Sequence, residues 1–193
     1  ELPEFSRSGL EALREPLETG RITISRAARQ ATFPARFQLV AAMNPCPCGF
    51  HGHPDGRCRC TPEQIARYRG KLSGPLLDRI DLHLCVAREA TSLHPAPDQG
   101  PGSTEAARRV VDARQRQLAR QGCANARLDL AGLRQHCPLS SEDQRWLESA
   151  CERLGLSLRA AHRVIKVART LADLEQQALI GRAHLAEALQ YRP

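Results

Sequence analysis

Three groups of residues in this chain of 193 could do chemistry. Arg79 stands between two carboxylates, Asp78 and Asp81, within the stretch Gly70–Cys85 and just ahead of an apolar run. An arginine keeps its charge at any pH and carries a rigid donor fork suited to phosphate oxygens. At a helix end on a subunit edge it could reach a neighbour's nucleotide; the plainer role is an ion pair with Asp78 or Asp81. Cys46-x-Cys48 and Cys58-x-Cys60 form the second group. Two thiolate pairs at the ends of a loop could close a tetrahedral Zn²⁺ site. A metal would help a glycine-rich loop that has no core of its own. The C-x-C spacing is tighter than the common C-x-x-C, and His51 or His53 could replace one sulfur. The alternative is a loop of reduced, unligated thiols. The third group is Asn44 before Pro45, either a hydrogen-bonding amide at a strand end or an ordinary Asn-Pro turn.

The elements that must position these groups change character along the chain. Residues 8–20 read as a short helix, with Leu10, Leu13 and Leu17 on one face, a stop at Thr19-Gly20 and strain at Pro16. Ile22 and Ile24 alternate in a strand over 21–25. Phe37–Ala42 is a continuous apolar run that predicts a strand buried on both faces, as in a parallel sheet. The Gly-, Pro- and Cys-rich loop 45–60 follows. Thr61-Pro62-Glu63-Gln64 is then a helix start, with proline at N1 and Gln at N3. Ile80, Leu82, Leu84 and Val86 predict another strand. Residues 91–103 carry three prolines and two glycines without periodicity and read as a linker. Beyond it the pattern is helical. Ala107, Val110 and Val111 start a stripe ahead of the arginine-rich 108–120. Ser140 or Ser141 caps a helix bearing Trp146 and Leu147. A long helix runs from Ser157, and a short one spans 183–191. The fold class expected is α/β followed by all-α, with domains at 1–90 and 104–193.

Composition bounds the function. Hydrophobic residues make up 41% and charged residues 25%, a globular balance. No apolar run has the length of a membrane span, and no secretory pattern opens the chain. The formal net charge is +7, which favours polyanions such as nucleic acid. All the basic residues except Lys71 and Lys166 are arginine, a skew that GC-rich coding would also produce. Clustered cysteines without secretion signals suggest metal in a reducing cytosol, so a cytoplasmic protein is expected. Cys85, Cys123, Cys137 and Cys151 share no spacing and read as buried small apolar residues.

Several stretches in order resemble the magnesium-chelatase-like AAA+ ATPases, most specifically the ComM (YifB) family. They are Glu1–Phe5, Leu10–Arg26, Phe33–Gly49, Ser73–Leu82 and the helical Ser157–Leu174. The resemblance implies the distal half of a P-loop ATPase core followed by a helical lid, with ATP and Mg²⁺ as cofactors. Glu1 would be the second acidic residue of the Walker B pair, polarising the attacking water, although an N-terminal Glu alone is ordinarily just solvated. Asn44 would be the sensor 1 amide, Arg79 an arginine finger on the adjacent subunit's ATP, and Arg159 the sensor 2 arginine of the lid. Arg163, Lys166 and Arg169 recur behind Arg159 and read mostly as a solvated face. The resemblance also implies a ring oligomer, a hexamer, associated with DNA. By analogy with pore-facing hairpins, Arg21, Arg26, Arg57 and Arg59 would track its backbone, with Phe50 as the ring of the loop.

The expected activity is an ATP-driven helicase or branch-migration motor in recombination during natural transformation. The alternatives are a chelatase subunit that drives metal insertion into a porphyrin, and a non-enzymatic zinc-stapled nucleic-acid-binding module. No G-x-x-x-x-G-K-[ST] occurs in the sequence. The chain therefore reads as the C-terminal portion of a longer protein, inactive towards ATP by itself.

Overall fold

A computed structural model describes residues 1–26, 29–86 and 100–192. The chain divides into two compact units, Glu1–Ile80 and Asp81–Pro193.

The first unit opens with a 3₁₀ turn, Leu2–Glu4, whose Leu2 N–H donates to the Ala42 carbonyl at 2.9 Å. The helix expected over 8–20 is two helices, α1 (Arg7–Ala12) and α2 (Arg14–Thr19). Pro16 explains the break: it has no N–H to give, and its ring would strike the carbonyl four residues back, that of Ala12. Ser6 caps α1, and Gly20 ends α2 in the left-handed region at φ 69°. Strand β1 (Arg21–Arg26) then pairs antiparallel with β2 (Arg29–Pro34), Arg21 opposite Pro34 and Arg26 opposite Arg29. Thr61 and Gln64 make the reciprocal capping box of α3 (Pro62–Arg69), Thr61 N–H to Gln64 Oε1 at 2.9 Å and Gln64 N–H to Thr61 Oγ1 at 3.3 Å. Ser73 caps α4 (Gly74–Leu77). The core of this unit is small: Leu2, Leu10, Leu72 and Leu76, flanked by Leu13, Leu17 and Leu77.

Two expectations fail here. Phe37–Ala42 and Ile80–Val86 have no ladder partners among the described residues, whose single sheet is the β1–β2 hairpin. Most of their apolar side chains stand in solvent, Val40 at 85% exposure and Val86 at 88%, with Leu39 and Ile80 half-buried. A strand of a parallel sheet is held by neighbours on its edges and helices on its faces, and nothing described supplies either.

The second unit is all helix. It contains α5 (Ser103–Gln121), a 3₁₀ turn Asn125–Arg127, α6 (Leu130–His136), α7 (Ser141–Arg153), α8 (Leu158–Leu174) and α9 (Arg182–Gln190). Ser140 and Ser157 cap α7 and α8 through their hydroxyls; α6, capped by Asp129, has no counterpart in the expected elements. The core joins Leu128, Leu133, Leu147, Val164, Ala168, Ile180 and Leu185. Small residues on α8, Ala160, Ala168 and Ala172, are buried and let neighbouring helices approach. The stripe expected on α5 is displaced: Val110 and Val111 are exposed, and burial begins at Ala113 and Gln117. Most of the expected linker 91–103 lies outside the described residues.

Candidate functional site

The first unit holds three of the four residues picked for nucleotide chemistry. Glu1 is exposed and forms the N-cap of the 3₁₀ turn. Its neighbour Leu2 is tied to Ala42, so the acidic end of one segment lies beside the Ala42–Asn44 end of another. Asn44 is exposed there. Arg79 follows α4, and its side chain is only 10% exposed. Its Nε lies 3.1 Å from Glu18 Oε2, and an Nη1 hydrogen is donated to the Pro75 carbonyl at 2.6 Å. The acidic partner identified is thus Glu18 of α2, a residue that sequence spacing does not reveal. Asp81 pairs instead with Arg163 at 2.5 Å.

In the second unit, Arg159 is exposed in the first turn of α8, two residues after the Ser157 cap. The basic residues behind it are not a solvated face. Arg163 holds Asp81, and Lys166 donates to the Ala126 carbonyl at 3.2 Å. Arg169 is buried to 1% exposure, donates to the Gln177 and Ala178 carbonyls and pairs with Asp173 at 3.1 Å. Arg120 reaches the same carboxylate from α5 through two hydrogen bonds, and Asn125 donates a third. This network ties α5, the 125–127 turn and α8 together.

The four loop cysteines converge. Cys46 and Cys48 Sγ are 3.4 Å apart, Cys58 lies 3.7 Å from each, and all four sulfurs sit within 4.8 Å of one another. A tetrahedron of Zn–S bonds of about 2.3 Å has S···S edges of about 3.8 Å. All four are free thiols. Neither His51 nor His53 joins the cluster; His53 Nδ1 accepts the Asp55 N–H at 3.2 Å. Backbone N–H groups point at every sulfur: those of His51 and Phe50 at Cys46, Phe50 and Arg59 at Cys48, Cys60 at Cys58, and Cys48 at Cys60. Those donors pull the Cys48 thiol down to about 6. Cys60 also gains from the Cys48 N–H, but desolvation and its sulfur neighbours push it up to about 12. Four thiolates this close repel unless a cation sits among them.

The remaining cysteines divide. Cys137 and Cys151 are buried in the helical core as expected, burial pushing Cys137 up to about 11. Cys123 is half-buried against that core, whereas Cys85 is exposed and is not a packing residue. Beside the cluster, Cys48, Phe50, Gly56, Arg57 and Arg59 line a shallow groove. Arg57 there pairs with Asp55 at 3.0 Å.

A family model for the magnesium chelatase, subunit ChlI, matches residues 1–93, and one for its C-terminal domain matches residues 100–192. The chain belongs to the magnesium-chelatase-like family. It is 50% identical over 202 residues to the uncharacterized protein YifB of Escherichia coli strain K12, and 48% identical over 193 residues to the competence protein ComM of Haemophilus influenzae. The uncharacterized protein Rv2897c of Mycobacterium tuberculosis is 41% identical over 196 residues. Each comparison covers all of this chain but 38% of the relative, so the chain spans well under half the length of these proteins. Among the described residues no helix is long and apolar enough to cross a membrane.

Proposed function

We propose that this chain is the distal half of an AAA+ ATPase core with its helical lid, working within a ring-forming motor that moves on DNA, in the manner implied by resemblance to ComM. The hydrogen bond from Leu2 to Ala42 is the observation that carries the reading. It brings the Glu1 segment beside the segment ending at Asn44, as hydrolysis needs if a carboxylate is to polarise the water and an amide is to orient it. Arg79 acts on the nucleotide of the adjacent subunit, and Arg159 on that of its own. The P-loop, with its Mg²⁺ and ATP, comes from sequence beyond these 193 residues, in the larger share of a relative-sized protein. A structural Zn²⁺ at the cysteine cluster would have four protein ligands and would not itself touch the nucleotide or the attacking water.

Identity of 48% to a protein named for competence, ComM, together with a net charge of +7, supports the DNA motor over porphyrin metallation in this reading. The deciding experiment mixes two variants of the full-length protein. Arg79→Ala lowers ATP turnover by about 10³-fold or more while ATP still binds, and Glu1→Gln is inactive alone. Mixed rings recover activity, because an intact Glu1 on one subunit meets an intact Arg79 on the next. An Arg79→Ala protein that hydrolyses normally, or mixtures without recovery, would remove Arg79 from this role.

A further inference from the structure

The four-cysteine cluster lies beside a residue the ATPase reading depends on. Cys46 is two positions from Asn44 and fully buried, unlike the loop around it. The chain from Asn44 is held from both directions. Behind it, Ala42 accepts from Leu2; ahead of it, Arg69 Nε donates to the Pro45 carbonyl at 3.2 Å, and Gly49 N–H closes a turn onto the Cys46 carbonyl at 3.0 Å. Gly49, at φ 78°, folds the loop back towards the asparagine: a Cβ built on it would lie 3.9 Å from the Asn44 amide oxygen. Nothing apolar holds this bend, since Cys46 is the one buried side chain between Pro45 and Cys60.

We propose that Cys46, Cys48, Cys58 and Cys60 form a closed structural Zn²⁺ site that holds loop 45–60 in one shape and thereby positions the Asn44 amide. The sulfur separations fit a tetrahedral soft-metal site, and four protein ligands leave no open position for catalysis. Converging backbone N–H groups supply the outer shell such thiolates need. A loop of this composition has too little apolar surface to order itself, so metal binding supplies the free energy of its shape. Asn44 is a positioning target of the site, and the site's role in turnover rests on the ATPase reading above; the metal site itself does not.

The test uses the full-length protein, purified without added metal or a histidine tag. Elemental analysis gives about one zinc per chain, and Co²⁺ in its place gives the intense visible absorption of tetrahedral thiolate coordination. Cys48→Ser and Cys58→Ser each lose the metal. Chelation of wild-type protein lowers kcat on the order of 10²-fold with KM for ATP little changed, as misplacement of one catalytic group does, and added Zn²⁺ restores it. Because restoration uses unmutated protein, a variant that fails to fold does not decide the outcome. Absence of zinc and of the Co²⁺ spectrum overturns the site. Stoichiometric zinc whose removal leaves kcat unchanged overturns the coupling to Asn44. An Asn44→Ala protein with normal kcat overturns the ATPase role of Asn44 and the coupling with it, while the metal analysis still decides the site.

Discussion

At the scale of single residues, the most consequential side chain outside the candidate site is Asp173. Burial alone would raise its carboxyl, but hydrogen bonds from Arg120 and Asn125 and the charges of Arg169 and Arg120 hold it below the usual carboxylate range. A depressed folded-state pKa stabilises the protein above the unfolded value, about 3.9, and that stability is lost as pH falls through the lower folded value. Asp173→Ala leaves two arginines facing an empty buried position and costs about 3–5 kcal/mol at neutral pH. Asp173→Asn keeps the shape and removes this residue's share of the acid sensitivity. Thermal melts from pH 7 to below pH 4 check both, and a wild-type slope in the Asn variant would show that other carboxylates carry it. The sequence did not single out Asp173, since burial is decided by partners 45 or more positions away, such as Asn125 and Arg120. The same long reach hid Glu18 behind Arg79; Arg169 looked like a surface residue although its partners Asp173, Gln177 and Ala178 lie only four to nine positions along the chain. Cys46, Cys48, Cys58 and Cys60, by contrast, were legible from spacing as a candidate cluster, with His51 and His53 left open as substitutes for one sulfur.

At the scale of elements, local chemistry was legible and pairing was not. The Thr61 capping box, the Ser157 cap and the alternating β1 depend on residues a few positions apart and were readable. The strands expected over 37–42 and 80–86 depend on neighbours, and apolar residues specify burial without supplying the partner. The hairpin β1–β2 rests on its base, where Gly20 turns out of α2 and its carbonyl accepts the Ala35 N–H at 2.9 Å. A Cβ on Gly20 would lie 2.8 Å from Arg36 Cγ and in the left-handed region. Gly20→Ala is therefore expected to cost about 1–2 kcal/mol, measured by urea denaturation. Unchanged stability would mean that Arg36 moves aside and the turn tolerates a side chain.

At the scale of the molecule, both units carry arginines and the net charge is +7, which suits sequence-independent contact with a phosphate backbone. Binding of the full-length protein to single-stranded DNA should weaken steeply with salt, with each phosphate contact contributing about 0.7 to the logarithmic slope. Arg57→Ala and Arg59→Ala should each reduce that slope by roughly one contact without altering sequence preference. Fluorescence anisotropy across a salt series measures this, and slopes equal to wild type would exclude the loop from the DNA path.

The seven residues Phe37–Met43 carry no charge and no proline, and are preceded by Arg36 and followed by Asn44-Pro45. That is the composition of segments that stack into cross-β fibres when left uncovered, and the flanking residues are of the kind that limit such stacking. During synthesis this stretch must be covered before it meets another copy of itself. Crowding and high expression should therefore yield insoluble protein, even when Glu1, Asn44 and Arg79 are unchanged.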